Sequence, residues 1–223
     1  PITGTVIIGE GLITIISPAN SANINVFSLS SVDDVTISNL KISGNSANQT
    51  SGKGILLSTV NRINIDRVTI TDVKEYGVEL ATATKVSITN SVFSSNKKNN
   101  IYASATSSDV NVSNNQITTS TTASAFGVMF GSSVITRYTI SNNIIVLGLS
   151  SHKAIAINPS NHRGVISTNV VTTITGSSVA AIDVDTCENI SILGNVINCV
   201  SSAASGVKGI NANALVESSI TGN

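Results

Sequence analysis

One short sequence pattern recurs along the chain and restricts the folds that the chain can adopt. Two apolar residues stand one residue apart, a polar corner that usually contains asparagine follows, and further apolar residues come after the corner. The copies are Val35–Ile42, Val86–Phe93, Asp109–Ile117, Tyr138–Ile145 and Ile190–Ile197. Repetition of one short unit is typical of a repeat fold, in which each unit stacks on the next.

A second apolar pattern sets the length of the repeat. It begins with a small residue, usually Gly or Ala, and continues with alternating apolar residues. The first inward residues of its seven copies are Ile55, Val78, Ile101, Val128, Ile155, Ile182 and Ile210. Their spacings of 23, 23, 27, 27, 27 and 28 residues are too short for helical-pair repeats.

The alternation within each repeat indicates strands. Its period is two, and the branched residues Val, Ile and Thr dominate, which is typical of strands. Three short strands fit one repeat, and the same strand of successive repeats would pair in parallel about 4.8 Å apart. The sequence therefore predicts an all-β parallel β-helix, a solenoid of about eight coils with three strands per coil and a core of stacked Ile and Val.

Asparagine recurs at two adjacent corner positions. The first position holds Asn39, Asn90, Asn114 and Asn142, and the second holds Asn115, Asn143, Asn169, Asn195 and Asn223. Stacked amides can form hydrogen bonds from coil to coil, so we expect a ladder along this corner. Arg67, Thr168 and Gly194 interrupt the first column.

Length and charge limit the domains and the partners. We expect residues 1–223 to form a single β-helix domain and to be a piece of a longer chain, because the repeat pattern runs to both ends. The net charge is zero and 11% of the residues are charged, which gives no electrostatic basis for binding nucleic acid. No apolar run of about 18 residues is present, so we expect no membrane span.

The order Gly-Ile-x-Ile, turn, Val-x-Ile-x-Asn-Asn-x-Ile resembles the pectin-lyase-like right-handed β-helix superfamily, which includes pectate lyases, polygalacturonases, alginate epimerases and phage tailspikes. The resemblance covers nearly the whole chain and implies a right-handed helix. It also implies that the Gly-Ile-x-Ile strands line a saccharide groove, where acidic residues carry the chemistry. We call the sheet formed by these strands the groove sheet.

The chain departs from this superfamily at one position. The residue before the small opener is acidic in polygalacturonases and several lyases. Here the corresponding residues are Lys53, Tyr76, Asn99, Phe126, Lys153, Ala180 and Lys208. None is acidic, so the polygalacturonase mechanism has no support in this sequence.

Two outward-facing carboxylates form the first candidate site. Asp183 and Asp185 stand two residues apart on one strand, which separates their backbones by about 6.6 Å, close to the roughly 6.5 to 9.5 Å of an inverting glycosidase pair. The expected substrate-binding residues around them are Asn158, Asn211, Asn213, Lys153 and Lys208. Either lysine would serve as the base of a lyase if its pKa were lowered.

The same patch has other interpretations. The sequence specifies no cofactor and no metal-ligand set, but the oxygen-rich side chains around Asp183 and Asp185 would also suit Ca²⁺. Alternatively, these polar side chains only keep an outward face of the sheet hydrated.

Aromatic side chains gather in the second candidate site. They are Tyr76, Tyr102 and Phe126, together with Met129 and the carboxylate of Glu79. Aromatic faces suit stacking on sugar rings, and Glu79 is a third candidate catalytic residue, with Asp72 or Glu75 of the preceding loop as its partner. Glu79 and Asp183 lie four coils apart, about 19 Å, so they cannot form one catalytic pair. The alternative is that a loop packs on these aromatics.

Five basic residues are expected outside both sites. We expect His152, His162 and Arg163 in solvated turns, and Lys97 and Lys98 at an exposed loop tip.

The outward residues of the third strand become apolar in the later coils. They are Lys41, Thr69, Val92, Gln116, Ile144, Val170 and Val196. Exposed apolar stripes usually mark an interface, and copies that bury such a stripe form a closed symmetric oligomer. The resemblance to tailspikes, which are trimers, implies a homotrimer. The alternative is that loops of the parent protein cover the stripe.

Two functions fit these observations. The first is a polysaccharide-binding and polysaccharide-degrading β-helix, a lyase or glycoside hydrolase of the tailspike kind, located outside the cell, on its surface or on a virion such as a phage tail. The second is a non-catalytic structural or adhesive shaft of a trimeric spike or surface protein. The paired carboxylates and clustered aromatics favour the enzyme, and the missing acidic openers favour the shaft.

Overall fold

The computed structural model describes residues 2–119, 125–131, 134–148, 153–158, 160, 162–174, 180–200 and 208–223. Within these ranges the chain forms 21 strands and two short 3₁₀ turns, Gly11–Ile13 and Ser46–Asn48. The strands pair in parallel, so the prediction of an all-β parallel solenoid is confirmed.

The groove sheet contains eight strands of the described residues. They are β3 (Phe27–Ser30), the first residues of β5 (Ile55–Thr71) and of β6 (Val78–Thr89), β8 (Ile101–Ala103), β11 (Val128–Phe130), β14 (Ile155–Ile157), β17 (Ala180–Asp185) and β20 (Lys208–Asn213). Phe27 pairs with Ile55, and the register continues coil by coil to Ile210. Seven complete turns therefore separate Phe27 from Ile210, slightly fewer than the expected eight coils.

Two further sheets complete each coil. The second sheet contains β1 (Val6–Ile8), the start of β4 (Asp33–Ser43), the middle of β5, the end of β6, β9 (Ser107–Ser113), β12 (Ile135–Ser141), β15 (His162–Ser167), β18 (Glu188–Leu193) and β21 (Ser219–Thr221). The third sheet contains β2 (Ile15–Ile16), the ends of β4 and β5, β7 (Val92–Ser94), β10 (Gln116–Thr118), β13 (Ile144–Val146), β16 (Val170–Ile174) and β19 (Val196–Val200). Because β4 and β5 continue through a corner, each contributes to more than one sheet.

The core is a stack of aliphatic side chains in register. On the groove sheet, Ile55, Val78, Ile101, Val128 and Ile155 are fully buried, and each pairs with the equivalent residue of the next coil. Burying one such side chain contributes about 1.5–3 kcal/mol. The period-two alternation thus places one face of every strand inside the solenoid.

The small residue that opens each groove-sheet strand has a steric cause. A Cβ built on Gly77 would lie 2.5 Å from the carbonyl oxygen of Asn100 in the next coil. That carbonyl accepts the N–H of Val78, so it belongs to the ladder between the coils. A larger opener would push the two coils apart at this point.

The second asparagine column forms the predicted ladder. Asn115 donates its side-chain N–H to Oδ1 of Asn143, which donates to Asn169, which in turn donates to Asn195, at 2.9–3.0 Å. The backbone N–H of Asn143 also donates to Oδ1 of Asn169. These amides are buried, and each satisfies backbone and side-chain groups that the corner would otherwise leave without partners.

The first asparagine column has a different role. Its members have positive φ, among them Asn39, Asn114 and Asn142, and so do Arg67 and Thr168. Asparagine tolerates this left-handed conformation better than most residues. The column therefore makes the bend of the corner, and the expected amide ladder does not continue through it.

One expectation about basic residues is wrong. His162 and Arg163 are part of strand β15, and His152 lies outside the described residues. Lys98 is exposed in the loop after β7, as expected, and it also contacts a carboxylate and an aromatic ring. In the parts of the chain that the structure describes, no helix is long and apolar enough to cross a membrane.

Candidate functional site

One outward column of the groove sheet carries most of the candidate residues. Its members, in register from coil to coil, are Leu56, Glu79, Tyr102, Met129, Ala156, Asp183 and Asn211. Their side chains stand on the face opposite to the buried aliphatic column. These side chains therefore follow one another along the axis, one per coil.

The residues before the small openers reach across to this column in the next coil. Lys53 contacts Glu79, Tyr76 contacts Tyr102, and Lys153 contacts Asp183. In the same way, the side-chain N–H of Asn99 lies 3.3 Å from the sulfur of Met129. The face of the groove sheet is thus lined by cross-coil pairs of charged, polar and aromatic groups.

Glu79 is held in an ion pair. Lys53 Nζ lies 3.1 Å from Oε2 of Glu79 and 4.0 Å from Oε2 of Glu75. Glu79 is 9% exposed. Lys53 therefore lies near both carboxylates.

The two tyrosines form the aromatic part of the surface. The ring centroids of Tyr76 and Tyr102 are 4.6 Å apart, with planes inclined at 36°, and both side chains are half-buried. Lys98 Nζ lies 5.2 Å from the centre of the Tyr76 ring and 2.8 Å from Glu75 Oε1. Burial raises the pKa of Tyr76, which keeps its hydroxyl neutral and able both to donate and to accept hydrogen bonds.

Phe126 joins the aromatic group to the aspartate patch. Its backbone N–H donates to Oδ1 of Asn99 at 3.0 Å, which ties it to the preceding coil. Lys153 Nζ lies 5.9 Å from the centre of the Phe126 ring and forms an ion pair with Asp183. Lys153 thus connects the two candidate sites.

Asp183 and Asp185 both face outward on β17 and are half-buried. Asp183 accepts hydrogen bonds from Lys153 and from the side-chain N–H of Asn211, and Lys208 Nζ donates to Asn211 at 2.9 Å. Asp185 accepts hydrogen bonds from the side-chain N–H of Asn213 at 2.9 Å and from the hydroxyl of Thr186 at 3.0 Å.

These contacts determine what the patch can do. Both carboxylates act as hydrogen-bond acceptors, which suits a binding or electrostatic role. Lys153 donates to Asp183 and does not present a free amine, so a lyase base would require this ion pair to open. Lys153 also supplies the positive charge that Ca²⁺ would bring, and no group of three or more His, Cys, Asp or Glu in the described ranges has a metal-binding arrangement.

The structure places every predicted site residue on or beside the groove sheet. Asn158 follows β14, whose last residue Ile157 pairs with Val184 next to Asp185. Sequence reasoning assigned no contact to Lys53 or Lys98. The separation of Lys98 from Glu75, 23 residues, equals the coil length in this region, and it is the signal that identifies the contact.

A family model described as right handed beta helix region matches residues 20–117 and 53–223. No curated protein matches the sequence significantly.

Several solved structures are similar to this chain. The enzymatically active domain of tailspike protein 2 of bacteriophage CBA120 has a TM-score of 0.48 and 13% identity, over 98% of this chain and 40% of that chain. The A-module of a mannuronan C-5 epimerase from Azotobacter vinelandii has a TM-score of 0.42 and 13% identity, over 99% and 80%. An endo-xylogalacturonan hydrolase from Aspergillus tubingensis has a TM-score of 0.41 and 11% identity, over 99% and 84%.

Proposed function

The chain belongs to the right-handed β-helix family, and from the outward face of its groove sheet we propose that it binds a polysaccharide along that sheet. The observation that carries the proposal is the stacked pair Tyr76 and Tyr102, flanked by the Lys53–Glu79 ion pair and by Lys98. Aromatic rings with polar tips suit the apolar faces and hydroxyl groups of sugar rings.

The arrangement suits an extended ligand more than a compact one. Each coil adds one outward side chain about 4.8 Å further along the axis, from Glu79 to Asn211. The ion pairs Lys53–Glu79 and Lys153–Asp183 offer donors and acceptors at two points of this line. A linear glycan can therefore contact several coils, with the tyrosines as its stacking platform.

The second candidate function is cleavage of that polysaccharide. The observation in its favour is that Asp183 and Asp185 both face outward on β17, at the spacing of about 6.6 Å compatible with an inverting pair. In this proposal a bound sugar displaces Lys153 from Asp183 and so frees one carboxylate. A non-catalytic shaft is the rival, and it keeps the ion pair closed throughout.

The oligomeric state is a separate proposal. The third sheet exposes Ile144 by 50%, Val170 by 37% and Val196 by 54%, and these residues are in register. Three copies that bury this stripe around one axis would form a homotrimer. Ile144→Glu should then yield a monomer by light scattering, and a wild-type monomer would contradict the proposal.

The proposed location follows from the proposed ligand. Long polysaccharides lie mainly outside the cell, so we propose that the protein is extracellular, on the cell surface or on a virion.

A glycan array followed by a reducing-end assay tests the main proposal. The wild-type chain should bind a defined set of polysaccharides. The double variant Tyr76→Ala, Tyr102→Ala should bind them at least about tenfold more weakly, because it loses at least one stacking contact. Gln116→Ala, on the outward face of the third sheet, is the control and should bind normally. Equal binding by the double variant would refute the tyrosine platform.

The same assay separates binding from cleavage. If the aspartates cleave the glycan, Asp185→Asn should still bind it but should release at least about 10²-fold fewer reducing ends than the wild type. A wild-type chain that binds but releases none supports the non-catalytic shaft.

A further inference from the structure

Left-handed bends line one edge of the second sheet, on a different side of the solenoid from the groove sheet. Each coil has one residue with positive φ at this position. They are Asp34, Arg62, Lys85, Asp109, Arg137, Arg163, Asn189 and Glu217. The neighbouring residues are in register, for example Tyr138 with Val110 and with Gly164. Six charged side chains therefore follow one another along this edge before Asn189.

Two arginines of this column are neutralised by the preceding coil. Arg62 donates to Asp34 through Nε and Nη2, the second contact at 2.7 Å. Arg137 donates to Asp109 in the same two-pronged manner, at 2.6 and 2.7 Å. The hydrogen bonds from Arg137 lower the pKa of Asp109. Paired planar groups of this kind are the strong form of a charge-assisted contact.

Arg163 has no such carboxylate in the preceding coil. Its neighbours along the column are Arg137 before it and Asn189 after it, so neither adjacent coil places a carboxylate at its level in the column. No ion pair of Arg163 occurs among the described residues, and its side chain is exposed. Its guanidinium, which carries five N–H donors, therefore has no carboxylate partner among the described residues.

An open cavity of about 330 Å³ is lined by both of these arginines. Its lining includes Arg137, Arg163, Asp109, Asn111 and Thr139. Arg137 uses Nε and Nη2 for Asp109 and keeps further N–H groups. Thr139, whose hydroxyl is a neutral donor, also lines the cavity.

We propose that this cavity binds an oxyanion, a carboxylate or sulfate group, between Arg163 and Arg137. Guanidinium groups match the geometry of such anions because their donors lie in one plane. Asp109 orients Arg137 and offsets part of its charge, so Arg163 supplies the net positive charge of the site. The proposal does not depend on glycan binding at the groove sheet.

Titration calorimetry with two probes tests this site and identifies the source of the anion. Sodium sulfate, compared with sodium chloride at equal ionic strength, reports binding of a free anion. An oligogalacturonate, compared with an uncharged oligosaccharide of the same length, reports binding of a carboxylate carried by a glycan. We expect binding of at least one probe, and about tenfold weaker binding by Arg163→Gln, the loss of one charge-assisted contact.

The matched control lies in the same column. Arg62→Gln removes an arginine with the same backbone conformation outside the cavity, and it should bind both probes as the wild type does. Arg163→Lys keeps the charge without the planar fork and should recover part of the affinity. Binding that Arg163→Gln leaves unchanged, an equal loss in Arg62→Gln, or no binding of either probe to the wild type would each overturn the proposal.

Discussion

The ring of Tyr138 fills the space that a side chain on Gly164 would occupy one coil later. A Cβ built on Gly164 would overlap Cζ of that ring, and the two residues are paired across β12 and β15. Tyr138 is 2% exposed and meets Phe130 edge to face, with the ring centroids 5.0 Å apart. A large residue in one coil is therefore accommodated by the smallest residue in the next.

This relationship predicts a specific coupling between the two positions. Gly164→Ala should lower the free energy of unfolding by about 1–3 kcal/mol through overpacking, and Tyr138→Val should lower it by leaving a cavity. The double variant Tyr138→Val, Gly164→Ala should lose less stability than the two single variants together, because the added methyl group then occupies space that the tyrosine ring has left. Denaturant unfolding measures all three, and strict additivity would contradict the proposed complementarity.

The asparagine ladder predicts a large cost for a single buried amide. Asn169 donates to Asn195 Oδ1 and to the carbonyl of Ile140, and its Oδ1 accepts two hydrogen bonds from Asn143. Asn169→Leu should lower the unfolding free energy by at least about 3 kcal/mol, because several buried partners lose their bonds. The control Asn142→Gly, at the exposed bend next to the ladder, keeps the left-handed backbone and should cost much less.

The columns of the solenoid could be predicted from the sequence, but the contacts of the site could not. Inward Ile55 and Val78 follow from period-two alternation, which is a local property of the chain. The contact of Lys98 with Glu75 depends on a coil length of 23 residues, whereas later coils have 27 or 28. The first asparagine column is harder to recognise in the sequence. Arg67 and Thr168 keep the left-handed backbone conformation of the column although they are not asparagines.

Low pH should destabilise the fold by protonating Glu75. Burial raises the pKa of Glu75, but hydrogen bonds from Lys98 and from the N–H of Gly52, together with the charges of Lys98 and Lys53, outweigh burial and bring the pKa below its ordinary value of 4.5. A carboxyl whose folded pKa is lowered stabilises the fold above its unfolded pKa, and the contribution is lost as the pH falls through the folded value. Thermal unfolding should therefore become easier below about pH 4.5, and less so in Glu75→Gln.

Lys98→Met provides the control for this pH effect. It removes the first group that lowers the pKa of Glu75, so its acid sensitivity should resemble that of Glu75→Gln. Identical pH profiles for the wild type and Glu75→Gln would show that another carboxyl governs the acid response.

The ion pair between Lys153 and Asp183 should be coupled more strongly than the pair between Arg62 and Asp34. The side chains of Lys153 and Asp183 are 32% and 14% exposed, whereas Arg62 and Asp34 are each 46% exposed. Removing one partner of a sheltered pair leaves the other charge partly desolvated, so a double-mutant cycle with Lys153→Met and Asp183→Asn should give a coupling of about 1–3 kcal/mol. The same cycle at Arg62 and Asp34 should give a smaller value, because solvent screens exposed pairs. If the two couplings were equal, the lower exposure of Lys153 and Asp183 would not strengthen their ion pair, and the prediction would be wrong.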